Sequence, residues 1–135
     1  LIEIEIPPVR PIEEARGKEI LQIMGYFKED DELEVFRKVL THCEPMRWYP
    51  LFADIIARGN SKSKGIDQVL AYYGIDLKDT MAFGDGGNDI PMLSHVGLGV
   101  AMGNAAPEVQ AAARYVTTSV DEDGIMNALK HFNIL

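Results

Sequence analysis

MAFGDGGNDIPM, residues Met81–Met92, is the stretch from which the rest of the chain is read. A short apolar run (Met81, Ala82, Phe83) enters a glycine-rich turn, and a helix-like segment follows it. Asp85, Asn88 and Asp89, all able to act on a phosphate, fall within five positions. A strand, a tight turn and a helix start place such side chains at the carboxyl end of a strand, where open α/β sheets bind ligands. The flanking glycines let the backbone turn sharply and leave room for a ligand. Two carboxylates and an amide in one turn suit a hard, oxygen-ligated cation such as Mg²⁺ and the phosphate it carries. A polar turn that merely caps a helix would also use Asp and Asn. Six specified positions, GDGGND, in a strand–turn–helix setting favour the functional reading.

From Gly59 onward helices and strands alternate. Asn60 or Ser61 opens a helix whose apolar face is Ile66, Val69, Leu70 and Tyr73, at i, i+3, i+4 and i+7. Gly74 ends it, with Ile75 as the hydrophobic contact after a glycine cap. Strands are expected at Thr80–Gly84, Val96–Met102 and Tyr115–Thr117. Helices are expected from Asn88 to Ser94, with Pro91 in the first turn, from Pro107 to Arg114, and from Glu122 to His131 with Ile125, Leu129 and Phe132 inward. This order is that of a parallel, doubly wound α/β sheet.

Upstream the pattern differs. Leu1–Ile6 alternates apolar with Glu as an extended segment does, and Pro7–Pro11 is a stiff linker. Ile12–Arg16 has room for one helical turn before Gly17. Residues 18–58 read as β-α-β-β: a strand at Glu19–Phe27, and a helix capped by Asp30 or Asp31 with Leu33, Phe36 and Leu40 on one face. Strands follow at Met46–Tyr49 and Phe52–Ala57.

The composition is that of an ordinary soluble globular protein, 47% apolar and 25% charged. A net charge of −8 argues against a nucleic-acid surface. Every apolar run is broken within about ten residues, too short to cross a membrane, and the first residues lack the basic start of a secretion signal. The expected location is cytoplasmic. Cys43, the single cysteine, reads as a small buried hydrophobe.

GDGGND resembles the fourth motif of the haloacid dehalogenase (HAD) superfamily, GD-x-x-N-D, in the form carried by Cof-type sugar phosphatases. The resemblance covers nearly the whole chain and is strongest over residues 44–132. It implies residues 1–58 as the remainder of an α/β cap domain and residues 59–135 as the C-terminal part of a HAD-like core. It also implies a Mg²⁺-dependent hydrolase of small phosphate monoesters, sugar phosphates foremost, working through an aspartyl-phosphate. Asp85 is then the direct Mg²⁺ ligand. Asp89 acts at the metal mostly through a bound water or by holding Lys64, and Asn88 donates a hydrogen bond to the phosphate. Lys64 of SKSKG becomes the third-motif lysine that neutralises nucleophile and phosphate. Lys62 competes for that role, but Lys64 abuts the glycine as in the family's K-G pair.

Other features are read as structural. Gly97, Gly99 and Gly103 have G-x-G-x-x-x-G spacing inside a strand pattern, which fits close backbone packing better than a dinucleotide loop. His42, His95 and His131 lack metal spacing. Trp48 and Tyr49 are core or cap-surface residues able to touch a sugar if they face the site. Asp121-Glu122-Asp123-Gly124 imitates the family's D-x-D-G-T nucleophile motif but follows a short polar segment, and Asp121 is expected to cap the last helix.

No D-x-D-G-T strand occurs near the start of the chain, so the expected nucleophile, and the acid/base aspartate two residues beyond it, have no counterpart here. The match is to the C-terminal half of a Cof-type phosphatase. The expectation is a fragment, or a chain that pairs with an N-terminal piece of the same protein, inactive alone and with an unpaired apolar edge on the Thr80–Gly84 strand. Two other functions remain open. The cation-pumping ATPases share GDG-x-ND-x-P-x-L, which makes their phosphorylation domain a local rival. A non-enzymatic module that binds metal or phosphate is the other.

Overall fold

The structure, a computed structural model, describes residues 8–135. The expected extended segment Leu1–Ile6, and the side chains of Leu33 and Trp48, lie outside the described residues.

Two three-stranded sheets organise the described chain. The first holds β1 (Gln22–Tyr26), β2 (Cys43–Tyr49) and β3 (Phe52–Ala57) in the antiparallel order β1-β3-β2, with α1 (Glu29–Lys38) between β1 and β2. β2 and β3 form a hairpin around Tyr49-Pro50, and Pro45 is tolerated because β2 is an edge strand. Ile12–Ala15 forms a single 3-10 turn before Gly17, which adopts φ 75°. β1 is shorter than its apolar run, starting at Gln22 rather than Glu19. α1 starts earlier than expected. Lys28 occupies its cap position, so Asp30 and Asp31 lie inside the first turn, where carboxylates favour the positive end of the helix.

Arg47 ties this half together. Its Nε donates to Glu32 Oε1 of α1 at 2.6 Å, and its Nη1 donates to the carbonyls of Tyr49, Pro50 and Phe52 at the hairpin end. Nη2 donates to the Phe27 carbonyl at 3.1 Å, and the guanidinium lies 5.3 Å from the centroid of the Phe27 ring. Nothing in the residue spacing announced this hub.

The second sheet is parallel, in the order β4-β5-β6: β4 (Met81–Gly84), β5 (Leu98–Ala101) and β6 (Tyr115–Val116). α3 (Ile90–His95) and α4 (Pro107–Ala112) are its crossovers, each with a proline in its first turn where no N–H is needed. They enclose a core of Leu93, Ala101, Ala105 and Val109. Gly99 inside β5, and Gly97 and Gly103 beside it, serve backbone packing, as expected. A Cβ on Gly99 would fall 2.1 Å from the Leu93 carbonyl oxygen, so only glycine lets α3 lie this close.

α2 (Lys62–Tyr73) precedes β4. Ser61 caps it, its Oγ accepting from the Lys64 N–H at 3.1 Å, and Gly74 ends it at φ 67°. Its expected inward face is largely uncovered: Val69 is 54% and Tyr73 68% exposed. Ile66, Val69 and Leu70 instead line an apolar groove of about 360 Å³ with Met81 and Val96. The cause is topological. Among the described residues β4 pairs only with β5, and its other edge is open.

The last helix also departs from expectation. Asp121 does not cap it. Ser119 and Glu122 form a capping box around a 3-10 turn at Val120–Glu122, Asp123 takes φ 56°, and α5 begins at Gly124 (Gly124–His131). Gly124 and Ala128 supply its buried face, and Ile125 is 49% exposed.

Arg47→Ala should lower stability on the order of 3 kcal/mol in urea unfolding, because it leaves the Glu32 carboxylate and the hairpin carbonyls without their shared donor. Arg47→Lys should recover little of this, since one ammonium cannot reach all these acceptors.

Candidate active site

The loop leaving β4 is folded around one carboxylate. A 3-10 turn at Gly87–Asp89 brings Asp89 back beneath the strand end, where it is buried at 6% exposure. Its Oδ2 accepts the N–H groups of Asp85 and Gly86, both at 3.1 Å, and its Oδ1 accepts the Lys62 ammonium. A Cβ on Gly84 would stand 2.6 Å from the Asp89 Cβ, so glycine at that position is what admits the carboxylate. Burial alone would raise the Asp89 carboxyl. The Lys62 ammonium and the two backbone N–H groups outweigh it and hold the group below its ordinary value of 3.8.

From the sequence, Asp89 is expected to hold a metal-bound water or Lys64. Lys62, not Lys64, is held by Asp89. Lys62 is the first residue of α2 and Lys64 the third, about 200° apart around the helix, and only Lys62 reaches Asp89. Lys64 is exposed and lines a cavity of about 450 Å³ together with Asn88 and Lys62. The opposite wall belongs to the first sheet, through Gln22, Met46 and Asp54. Asn88 is half-buried there, and its Oδ1 occupies the space that a Cβ on Gly86 would need at 2.5 Å. Tyr49 packs against Phe52, with ring centroids 5.4 Å apart.

Asp85 stands apart from this clasp. Its N–H is committed to Asp89, but its side chain is exposed at the carboxyl end of β4. Asn104, from the turn after the neighbouring strand β5, approaches Asp85 Oδ2 with its Nδ2 at 3.5 Å. Asn104 was not singled out from the sequence. Its place just beyond the end of β5 is the signal that could have found it, because adjacent parallel strands open onto one crevice.

Among the described residues no three His, Cys, Asp or Glu side chains cluster tightly enough to form a complete metal cage. An exposed carboxylate still fits Mg²⁺, which keeps several waters and is commonly bound through one or two carboxylates and a substrate phosphate. Asp85 meets that requirement. Asp89, assigned to the metal from the sequence, has both oxygens occupied by donors in this structure.

His95 and Asp67 join α3 to α2 through Nε2 and Oδ1 at 2.7 Å, and His131 stacks on Tyr115 at 4.6 Å between ring centroids. Both histidines are structural in this setting.

The assembled geometry bears comparison with known proteins. Residues 3–129 match the haloacid dehalogenase-like hydrolase family. The chain belongs to that family. Over 96% of its length it is 51% identical to the HAD subclass IIB sugar phosphatase BT4131, with a TM-score of 0.82 and half of that chain covered. BT1666 of Bacteroides thetaiotaomicron, a HAD-superfamily phosphatase, is 46% identical over 99% of this chain and 50% of its own, at a TM-score of 0.86. YkrA of Bacillus subtilis (strain 168), which carries a phosphatase name, is 44% identical over 119 residues, 88% of this chain and 46% of its own length. This member of the HAD family therefore spans about half the length of those relatives.

The two lysines should separate cleanly in unfolding experiments. Lys62→Met is expected to cost about 2–3 kcal/mol at pH 7, because it strands the buried Asp89 carboxylate, whereas Lys64→Met should stay within about 0.5 kcal/mol of wild type. A depressed carboxyl contributes stability above its unfolded value that is lost as pH falls through its folded one. Asp89→Asn should therefore weaken the protein at pH 7 and reduce its acid destabilisation below about pH 4 in a urea-midpoint series.

Proposed function

We propose that the protein containing these residues is a Mg²⁺-dependent phosphatase of small phosphate monoesters, with sugar phosphates as its substrate class. The observation that carries this reading is the Asp89 clasp. It orders the loop after β4 so that the Asp85 carboxylate and the Lys62 ammonium both stand at the carboxyl end of a parallel strand, beside a cavity roofed by a second sheet. Lys62 supplies positive charge where a transferring phosphoryl group gathers negative charge, and it is fixed before the substrate arrives. Asn88 offers an amide donor to a phosphate oxygen from the wall of the cavity. Asp85 would hold Mg²⁺, which when bound neutralises phosphate charge and orients it. Asp89 positions Lys62 and the loop.

Gln22, Met46 and Asp54, with Gln68 and Lys64 opposite, surround the space for the leaving group. Amide donors and acceptors next to short apolar walls suit a polyhydroxylated compound, and the sugar-phosphatase relative supports that class. In this reading residues 1–58 are the end of a cap that closes over the site and residues 59–135 are the later part of the core. A closing cap excludes water from the site and helps select the substrate.

The attacking carboxylate comes, in this proposal, from residues outside this chain, carried on a strand that pairs with the free edge of β4. Two observations support it: the open edge with its apolar groove, and the family's D-x-D-G-T motif, which the chain lacks. A strand added there would reverse the winding of the sheet directly beside Asp85, the kind of place where open α/β sheets bind ligands.

The test is hydrolysis of a panel of sugar phosphates by the complete protein with Mg²⁺. Wild type should turn over at least one of them, and Lys62→Ala and Asp85→Ala should each lower kcat by about 10²-fold or more. Lys64→Ala should alter KM between substrates more than kcat. Full activity in Asp85→Ala at ordinary Mg²⁺ would remove the metal assignment, and inactivity across the whole panel would favour a non-enzymatic metal- or phosphate-binding module.

A further inference from the structure

The turn at residues 102–105 is built with more care than a simple link between β5 and α4 requires. Gln110 reaches back from α4 and donates from Nε2 to the carbonyls of Gly103 at 3.2 Å and Ala105 at 2.9 Å, on either side of Asn104. The Ala105 N–H closes the turn on the Met102 carbonyl at 3.0 Å. The Gly103 N–H donates to the Thr118 carbonyl, also at 3.0 Å, and a Cβ on Gly103 would collide with the Ser119 nitrogen at 2.7 Å. The turn is thus seated against residues 117–119, and Asn104 is displayed from a backbone fixed on three sides.

Its side chain is oriented as well. The Val120 N–H donates to Asn104 Oδ1 at 3.0 Å. An amide whose oxygen is engaged by an N–H must turn its NH₂ the other way, and Asn104 Nδ2 then faces Asp85 Oδ2, 3.5 Å away. Val120 is the first residue of the 3-10 turn closed by the Ser119–Glu122 capping box, so the orienting N–H is itself anchored.

We propose that Asn104 is a positioning residue for Asp85: locked by the Val120 N–H, its amide steadies one oxygen of the Asp85 carboxylate and leaves the other directed to the metal. This rests on the reading of Asp85 as the carboxylate that holds Mg²⁺. The device joins the ends of two adjacent strands to the loop after a third, so the last loop of the chain acts on the metal ligand without touching it. A residue that orients a metal ligand commonly contributes about 10–100-fold in metal affinity or activity.

Three variants of the complete protein test it: Asn104→Ala, Val120→Pro and Asp85→Asn. Val120→Pro removes only the orienting N–H. Proline is accepted at the first position of such a turn, Ser119 before it is already extended at ψ 166°, and the Val120 side chain is 64% exposed. Two readouts are used: the Mg²⁺ concentration that half-saturates turnover, set against kcat at saturating Mg²⁺, and the rise in Tm that Mg²⁺ produces without substrate. Asn104→Ala is expected to raise half-saturating Mg²⁺ about tenfold with kcat at saturation within about twofold of wild type, and to shrink the Mg²⁺-induced Tm rise. Val120→Pro should move both readouts the same way by a smaller factor, with the metal-free Tm unchanged. Wild-type Mg²⁺ dependence in both variants, while Asp85→Asn abolishes the response, would overturn the role of Asn104 and leave the phosphatase reading standing. An unchanged Mg²⁺ response in Asp85→Asn would overturn both.

Discussion

The ion pair between Lys62 and Asp89 is the constraint on which the site depends. It joins the first turn of α2 to the loop after β4, and the same carboxylate gathers the N–H groups of Asp85 and Gly86. A buried carboxylate without such partners would be costly enough to take up a proton. With them it stays charged and ties the first turn of α2 to the loop after β4. The geometry of the glycines follows from this. Gly84 has no side chain because Asp89 fills the space, and Gly86 leaves room for the Asn88 amide. What reads in one dimension as a glycine-rich phosphate loop is, in three, a carboxylate with its own lodging.

Asp85 and Asp89 are both aspartates of one motif and do opposite work. Asp89 is buried, fully engaged and charge-balanced within the protein. Asp85 is exposed, held by its backbone and touched on its side chain only by Asn104 among the described contacts. The first organises, and the second is available to a ligand. The division arises from backbone geometry, since one short 3-10 turn separates a side chain pointing beneath the sheet from one standing at its edge.

Much of the fold was legible because periodicity and punctuation agreed. Ser61 and Gly74 bound α2, Pro91 and Pro107 open their helices, and Gly99 marks close packing, all as the sequence suggests. What escaped depended on contacts between segments distant in the chain. Arg47 reaches α1 and the end of β1 as well as its own hairpin, and nothing in its neighbourhood encodes this. Which lysine meets Asp89, some twenty-seven positions away, turned on helix phase, and the adjacent glycine carries no information about that. Asn104 lay hidden for a similar reason, because its partners come from the loops after β4 and after β6. The uncovered face of α2 shows the converse: helix spacing placed Ile66, Val69 and Leu70 on one face, but among the described residues that face lines an open groove.

The proposed site turns on whether Asp85 or Asp89 meets a bound cation. The direct measurement is a crystal structure of the complete protein with Mn²⁺ in place of Mg²⁺ and a phosphate mimic, the cation located by its anomalous signal. The expected result is a peak within coordination distance, about 2.1 Å, of an Asp85 oxygen, with Asp89 still holding Lys62 and the two loop N–H groups. A cation bound by Asp89 with Lys62 displaced, or one lodged away from Asp85 altogether, would contradict it.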